Sequence, residues 1–116
     1  MVEAMSKYYG SRPENIRAAV GPNIGFCHFE TDADVPEALR KAYGAAMEPF
    51  IRTRDEKYLV DLKAVNAWVL EQAGVRNVEV STACTVCESD RYWSHRVTQG
   101  HRGSQGAVIL CTGGNR

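Results

Sequence analysis

Apolar positions recur along this chain in two rhythms, one helical and one alternating. In MVEAMSKYYG, Val2, Met5, Tyr8 and Tyr9 fall at helical spacing and Gly10 follows, which predicts a short amphipathic helix with a glycine C-cap. Pro13 restricts both itself and Arg12, so SRPEN reads as a connector. Ile16 to Val20 (IRAAV) is short, apolar and stopped by Gly21-Pro22, which predicts a buried strand. Phe26 to Glu30 (FCHFE) predicts a second one. Asp34 or Thr31 is placed to cap a helix through VPEALRKAYG, with Pro36 in its first turn and Gly44 past its end. The clearest helix is DLKAVNAWVLEQAG, with Asp61 at its start, Leu62, Val65, Val69 and Ala73 on one face, and Gly74 at C′. NVEVST then alternates like a half-buried strand. GAVILC, near the end, is a continuous apolar run, as in a strand covered on both faces.

Strands and helices therefore alternate, which predicts an α/β or α+β fold, a mixed sheet with flanking helices. With 116 residues and 12.9 kDa there is room for one domain and a modest core. The first helix has no N-cap and only Met1 ahead of its apolar face, so the expectation is a piece of a longer domain.

Charge narrows the partners. Fourteen basic and fourteen acidic side chains cancel, and nothing in that balance favours nucleic acid or an anionic membrane. No apolar run approaches the roughly 18 residues of a membrane span, and no signal-peptide succession opens the chain, so a cytoplasmic protein is expected. Cys27, Cys84, Cys87 and Cys111 then read as free thiols or metal ligands in preference to a disulfide frame.

Two constellations carry candidate chemistry. Cys27-His28 with Cys84-x-x-Cys87 offers the thiolate and imidazole donors that zinc prefers. Against a shared ion, adjacent residues of a strand point to opposite faces, and there is one C-x-x-C where a zinc ribbon brings two. A redox dithiol is a third reading, but Thr85-Val86 is an unremarkable spacer, and small half-buried thiols are the preferred one. The other constellation is RYWSHRVTQGHRGSQG, in which Arg96 and Arg102 in a glycine-bearing loop are candidates for holding phosphate or carboxylate. Tyr92 and Trp93 could stack on a ring. The stretch does not match G-x-x-x-x-G-K-[ST], which excludes a P-loop.

Taken together, AAVGPNIGFCHFE, DLKAVNAWVLEQAGVRNVEVSTACTVC and RYWSHRVTQGHRGSQGAVI resemble, in order and spacing, the C-terminal half of the YfiH-like family. These are the laccase-domain or multicopper polyphenol oxidase proteins, better described as purine nucleoside phosphorylases. The resemblance runs from about Val2 to Leu110. It implies that residues 1–116 are the C-terminal portion of a single domain of about twice this length, with the N-terminal half absent. It also implies phosphorolysis of adenosine, inosine and methylthioadenosine and deamination of adenosine, with purine nucleoside and phosphate as partners. Peptidoglycan editing on a UDP-muramoyl-serine precursor is an alternative activity.

The family's catalytic zinc is held by two His and one Cys of the other half, in segments that have no counterpart here. The resemblance thus implies no metal and no catalytic residue in this chain, which alone is expected to be inactive. Gly21, Pro22 and Gly25 would shape the backbone beside the active site, and Cys27 would be a packed thiol. The rival from another class is a non-enzymatic module with a structural zinc on Cys27, His28, Cys84 and Cys87. Removal of half a shared sheet would leave an open strand edge, so a homodimer is a further expectation.

Overall fold

The computed structural model describes residues 1–112 and is a mixed α/β fold. Helix α1 spans Val2–Tyr9, and Gly10 closes it at φ 68°. Val2 and Met5 are half-buried, whereas Tyr8 and Tyr9 stay in solvent. After a 3₁₀ turn at Pro13–Asn15, strand β1 runs Arg17–Val20. Its side chains alternate between exposed and half-buried, so it is a one-sided strand and not the fully buried one expected.

FCHFE is not a strand. Gly25 O accepts from both His28 N (3.1 Å) and Phe29 N (3.0 Å), which folds residues 25–29 into a turn. Local hydrogen bonds satisfy the backbone there before any ladder can form. Pairing begins only at β2, Glu30–Thr31. Helix α2 follows at Asp34–Tyr43, with Ala33 at the N-cap position, so neither expected cap serves. Asp34 sits instead in the first turn, where a carboxylate still suits the helix dipole.

A 3₁₀ segment, Gly44–Phe50, leads into β3 (Ile51–Arg54) and β4 (Lys57–Val60). These strands and β2 form an antiparallel sheet in the order β2-β4-β3. Helix α3, Leu62–Gln72, starts as its sequence predicts, with Asp61 accepting from Ala64 N at 3.2 Å. It ends at Gly74, whose φ of 96° is one that a side chain would strain. Strand β5, Asn77–Val80, then pairs parallel with β1, Arg17 opposite Asn77 and Val20 opposite Val80. A short helix α4 covers His95–Thr98, capped by Ser94.

Among the described residues few apolar side chains are buried: Met47, Val60, Val75 and Pro36 completely, and Val65 and Cys84 nearly so. The radius of gyration is 16.3 Å, above the about 13 Å of a compact domain this long. GAVILC contributes to the difference. Residues 106–111 carry no ladder, and Val108 is 98% exposed, where a covered strand was expected. A buried strand needs a neighbour for its backbone and cover for its faces, and the described residues give it neither.

Candidate functional site

The parallel pairing of β1 and β5 sets the site. Two loops leave the same end of the pair, and backbone bonds extend the alignment beyond it: Ser81 N donates to Val20 O (2.8 Å) and Thr85 N to Asn23 O (3.1 Å). Lys63 of α3 pins the second loop, donating to Ser81 O (2.7 Å) and to Ala83 O. The outcome is that residues 21–28 and 81–87 lie side by side. The carboxyl ends of parallel strands are where open α/β sheets bind ligands.

One side of this junction is a Cys/His cluster. One donor atom from each of Cys27, His28, Cys84 and Cys87 lies within 4.8 Å of the other three. His28 Nδ1 is 3.1 Å from Cys27 Sγ, 3.3 Å from Cys87 Sγ and 3.8 Å from Cys84 Sγ, and the Cys27 and Cys87 sulfurs are 3.5 Å apart. The strand objection to a shared ion does not hold, because Cys27 and His28 sit on a turn. Cys84 is buried and the other three are exposed.

The sulfurs differ electrostatically. Burial pushes the Cys84 thiol up, but the backbone N–H groups of Cys87, Gly25 and Val86, together with His28, outweigh it and bring its pKa down to about 6. Cys27, though exposed at its edge, is pushed up to about 12 by partial desolvation within the cluster and by hydrogen bonds and charge from Cys87 and Cys84. Gly25 is the close-approach residue here. A Cβ on it would lie 3.2 Å from Cys84 Cβ, 3.3 Å from Cys27 Sγ and 3.4 Å from Cys84 Sγ. Its N–H donates to Cys84 Sγ at 3.2 Å. Three soft sulfurs and an imidazole make a set able to hold a metal ion.

On the other side is a cleft of about 350 Å³ walled in part by Pro22, Asn23, Thr85, Trp93, His95 and Arg96. Asn23 Oδ1 is buried, with no hydrogen-bond partner among the described residues. Arg96 uses one N–H on Glu30 O (3.1 Å) and stacks over Phe29, 5.7 Å from the ring centre. Arg102 does not line the cleft. It donates through Nε to His95 Nδ1 (3.3 Å) and through a terminal nitrogen to Gly103 O (3.2 Å). Neither arginine makes an ion pair among the described residues.

The candidates of the sequence thus divide. Pro22 is on the cleft wall, Gly25 is at the cluster, and nothing lies within 4 Å of a Cβ built on Gly21. Asn23, Thr85, Ser94 and Gln105 also line the cleft and were not singled out from sequence. For Ser94 a signal existed: it precedes a helical turn and caps Val97 N, the usual work of a serine at that position.

A cleft of ligand size at the carboxyl ends of a parallel strand pair is a place where α/β proteins bind small molecules. The chain belongs to the multi-copper polyphenol oxidoreductase laccase family, whose profile matches residues 1–112. It is 37% identical over 100 residues to a protein of Geobacillus stearothermophilus named purine nucleoside phosphorylase YlmD, covering 84% of this chain and 36% of the relative. A purine nucleoside phosphorylase of Deinococcus radiodurans is also 37% identical, over 86% of this chain and 38% of the relative. The crystal structure of YlmD from Geobacillus stearothermophilus superposes with a TM-score of 0.81 at 35% identity, over 89% of this chain and 39% of that one. Bacillus licheniformis YfiH gives 0.80 at 36% identity, over 86% and 39%. The chain therefore spans roughly two fifths of the relatives it matches. Among the described residues, no helix is long and apolar enough to cross a membrane.

Proposed function

We propose that this chain is the C-terminal part of a zinc-dependent purine nucleoside phosphorylase and supplies one wall of its substrate cleft. The observation that carries the reading is the cleft at the β1/β5 strand ends, in a chain whose relatives are named for that activity. Arg96, with most of its five N–H groups uncommitted, is the phosphate-holding residue, and Arg102 orients His95 beside it. Trp93, half exposed on the same wall, offers a face to the purine, and Asn23 Oδ1 offers an acceptor for a base or ribose donor. A catalytic zinc, when bound in the whole enzyme, supplies Lewis-acid chemistry, and its ligands lie outside this chain. Adenosine deamination by the same cleft is a second reading, favoured by 35% identity over 99 residues to a protein named adenosine deaminase RL5.

The test joins this chain to the remaining part of the Geobacillus stearothermophilus relative and follows inosine phosphorolysis. The chain alone should show no turnover and the joined protein should turn over. Losing a charged hydrogen bond costs about 1.5–3 kcal/mol, so Arg96→Ala should raise the phosphate KM about 10- to 150-fold. Turnover by the 116-residue chain, or unchanged kinetics in the Arg96 variant, would sink the assignment.

A further inference from the structure

We propose that Cys27, His28, Cys84 and Cys87 form a closed, four-ligand zinc site that clamps the 21–28 loop to the 81–87 loop and so fixes one wall of the cleft. It is independent of the reaction assigned to that cleft and would stand if the nucleoside reading failed.

The argument is geometric. With Zn–S near 2.3 Å and Zn–N near 2.0–2.1 Å, tetrahedral ligation sets sulfurs about 3.8 Å apart and nitrogen about 3.6 Å from sulfur. The four contacts given above, 3.1, 3.3, 3.5 and 3.8 Å, depart from those values by about half an ångström or less. The two remaining pairs lie within 4.8 Å.

The surroundings match a ligated sulfur as well. Cys84 Sγ is met by the backbone N–H groups of Gly25, Val86 and Cys87, one from across the junction and two from its own C-x-x-C turn. Such donors orient a thiolate and disperse its charge. The ring nitrogen turned toward the sulfurs is His28 Nδ1. Exposure of Cys27, His28 and Cys87 leaves a path for the ion to enter.

Four protein ligands leave no open position, so the site is structural and not catalytic. Its effect passes through the backbone: Asn23 and Thr85 line the cleft and are hydrogen-bonded to each other, and each lies within four residues of a ligand.

The experiment uses the 116-residue chain, purified with reductant and dialysed against a weak chelator. Native mass spectrometry should find one zinc per chain. Replacement by Co²⁺ should give sulfur-to-metal charge transfer together with the visible bands of a tetrahedral ion. Cys87→Ser should lose the stoichiometric metal, while Cys111→Ser, which alters a cysteine outside the cluster, should keep it. Should Cys87→Ser fail to fold, the Co²⁺ spectrum of the unaltered chain decides alone. Hydrogen exchange at residues 21–28 and 81–87 should slow on zinc loading, a change that activity assays would not report. A reduced, folded chain that takes up neither ion overturns the proposal, as does one that keeps its stoichiometric metal in the Cys87→Ser variant.

Discussion

Gly25→Ala is the sharpest probe of the junction, because its cost can be read from three contacts. The added methyl would meet Cys84 Cβ at 3.2 Å and Cys27 Sγ at 3.3 Å, both tighter than ordinary van der Waals separation, and Cys84 Sγ at 3.4 Å, at its edge. In the metal-free chain the two sulfurs end short side chains and can turn aside. Once both are fixed on an ion they cannot, so the strain against the sulfurs falls on the loaded state, while that against Cys84 Cβ is common to both. Inserting a methyl into a packed site costs about 1–3 kcal/mol, which converts to a zinc Kd about 5- to 150-fold weaker.

Zinc competition against a chelating dye, with reductant and at one pH, measures that ratio. Melting of the metal-free chain by circular dichroism shows whether the fold itself has suffered. Gly21→Ala is the matched control. A Cβ there meets nothing within 4 Å, so affinity and melting should be unchanged. If Gly25→Ala binds zinc as tightly as the unaltered chain, the loops do not close on an ion as the cluster implies.

Further outcomes follow from other parts of the molecule. Zinc affinity should fall as pH is lowered, because protons compete for the thiolates. Cys84, with its pKa near 6, is ionised above that pH, whereas Cys27, raised to about 12, must release a proton on binding. Titration in buffers of different ionisation enthalpy should show that release, and affinity equal at pH 6 and pH 8 would exclude thiolate ligation. Asp61→Ala removes the acceptor for Ala64 N and should cost about 1 kcal/mol by urea unfolding, with Asp61→Asn recovering most of it. Met47 is completely buried in a sparse core, and Met47→Ala should cost about 2–5 kcal/mol in the same assay. A loss below 0.5 kcal/mol, on the order of a surface change, would contradict that placement.

Where structure follows from neighbours in sequence, it was legible. The helix through LKAVNAWVLEQ was readable at both ends because Asp61 and Gly74 act on the backbone within one turn of themselves. FCHFE and GAVILC were misread for a shared reason. An apolar run says that a segment is fit for a strand, and pairing depends on a partner elsewhere in the chain. Phe26 to Phe29 closes on Gly25 O instead, and residues 106–111 meet no ladder. The family was legible because its three motifs recur in order, whatever each segment does locally. The Cys/His cluster was half legible. The donors were visible, but their convergence depends on register: β1 and β5 pair at an offset of 60 residues, Val20 to Val80, and Cys27 lies 60 residues before Cys87. No local window contains that relation.

The register also gives GPNIGFCHFE its double role. Its Pro22-Asn23-Ile24 portion faces the cleft, its Cys27-His28 portion faces the cluster, and Gly25 stands between them against Cys84. Few apolar side chains hold this region: among the described residues, Cys84 is the one member of the buried hydrophobic core on either loop. A loop so weakly packed relies on its few backbone bonds, among them Thr85 N to Asn23 O. Structural zinc in small peptides binds with about 10–16 kcal/mol, well above what one such bond contributes, about 0.5–1.5 kcal/mol. The cleft wall therefore depends on the cluster far more than the cluster depends on the cleft. Emptying the metal site should loosen Asn23 and Thr85, whereas substituting Arg96 or Trp93 should leave metal affinity untouched. That asymmetry separates a structural clamp from a metal that takes part in chemistry.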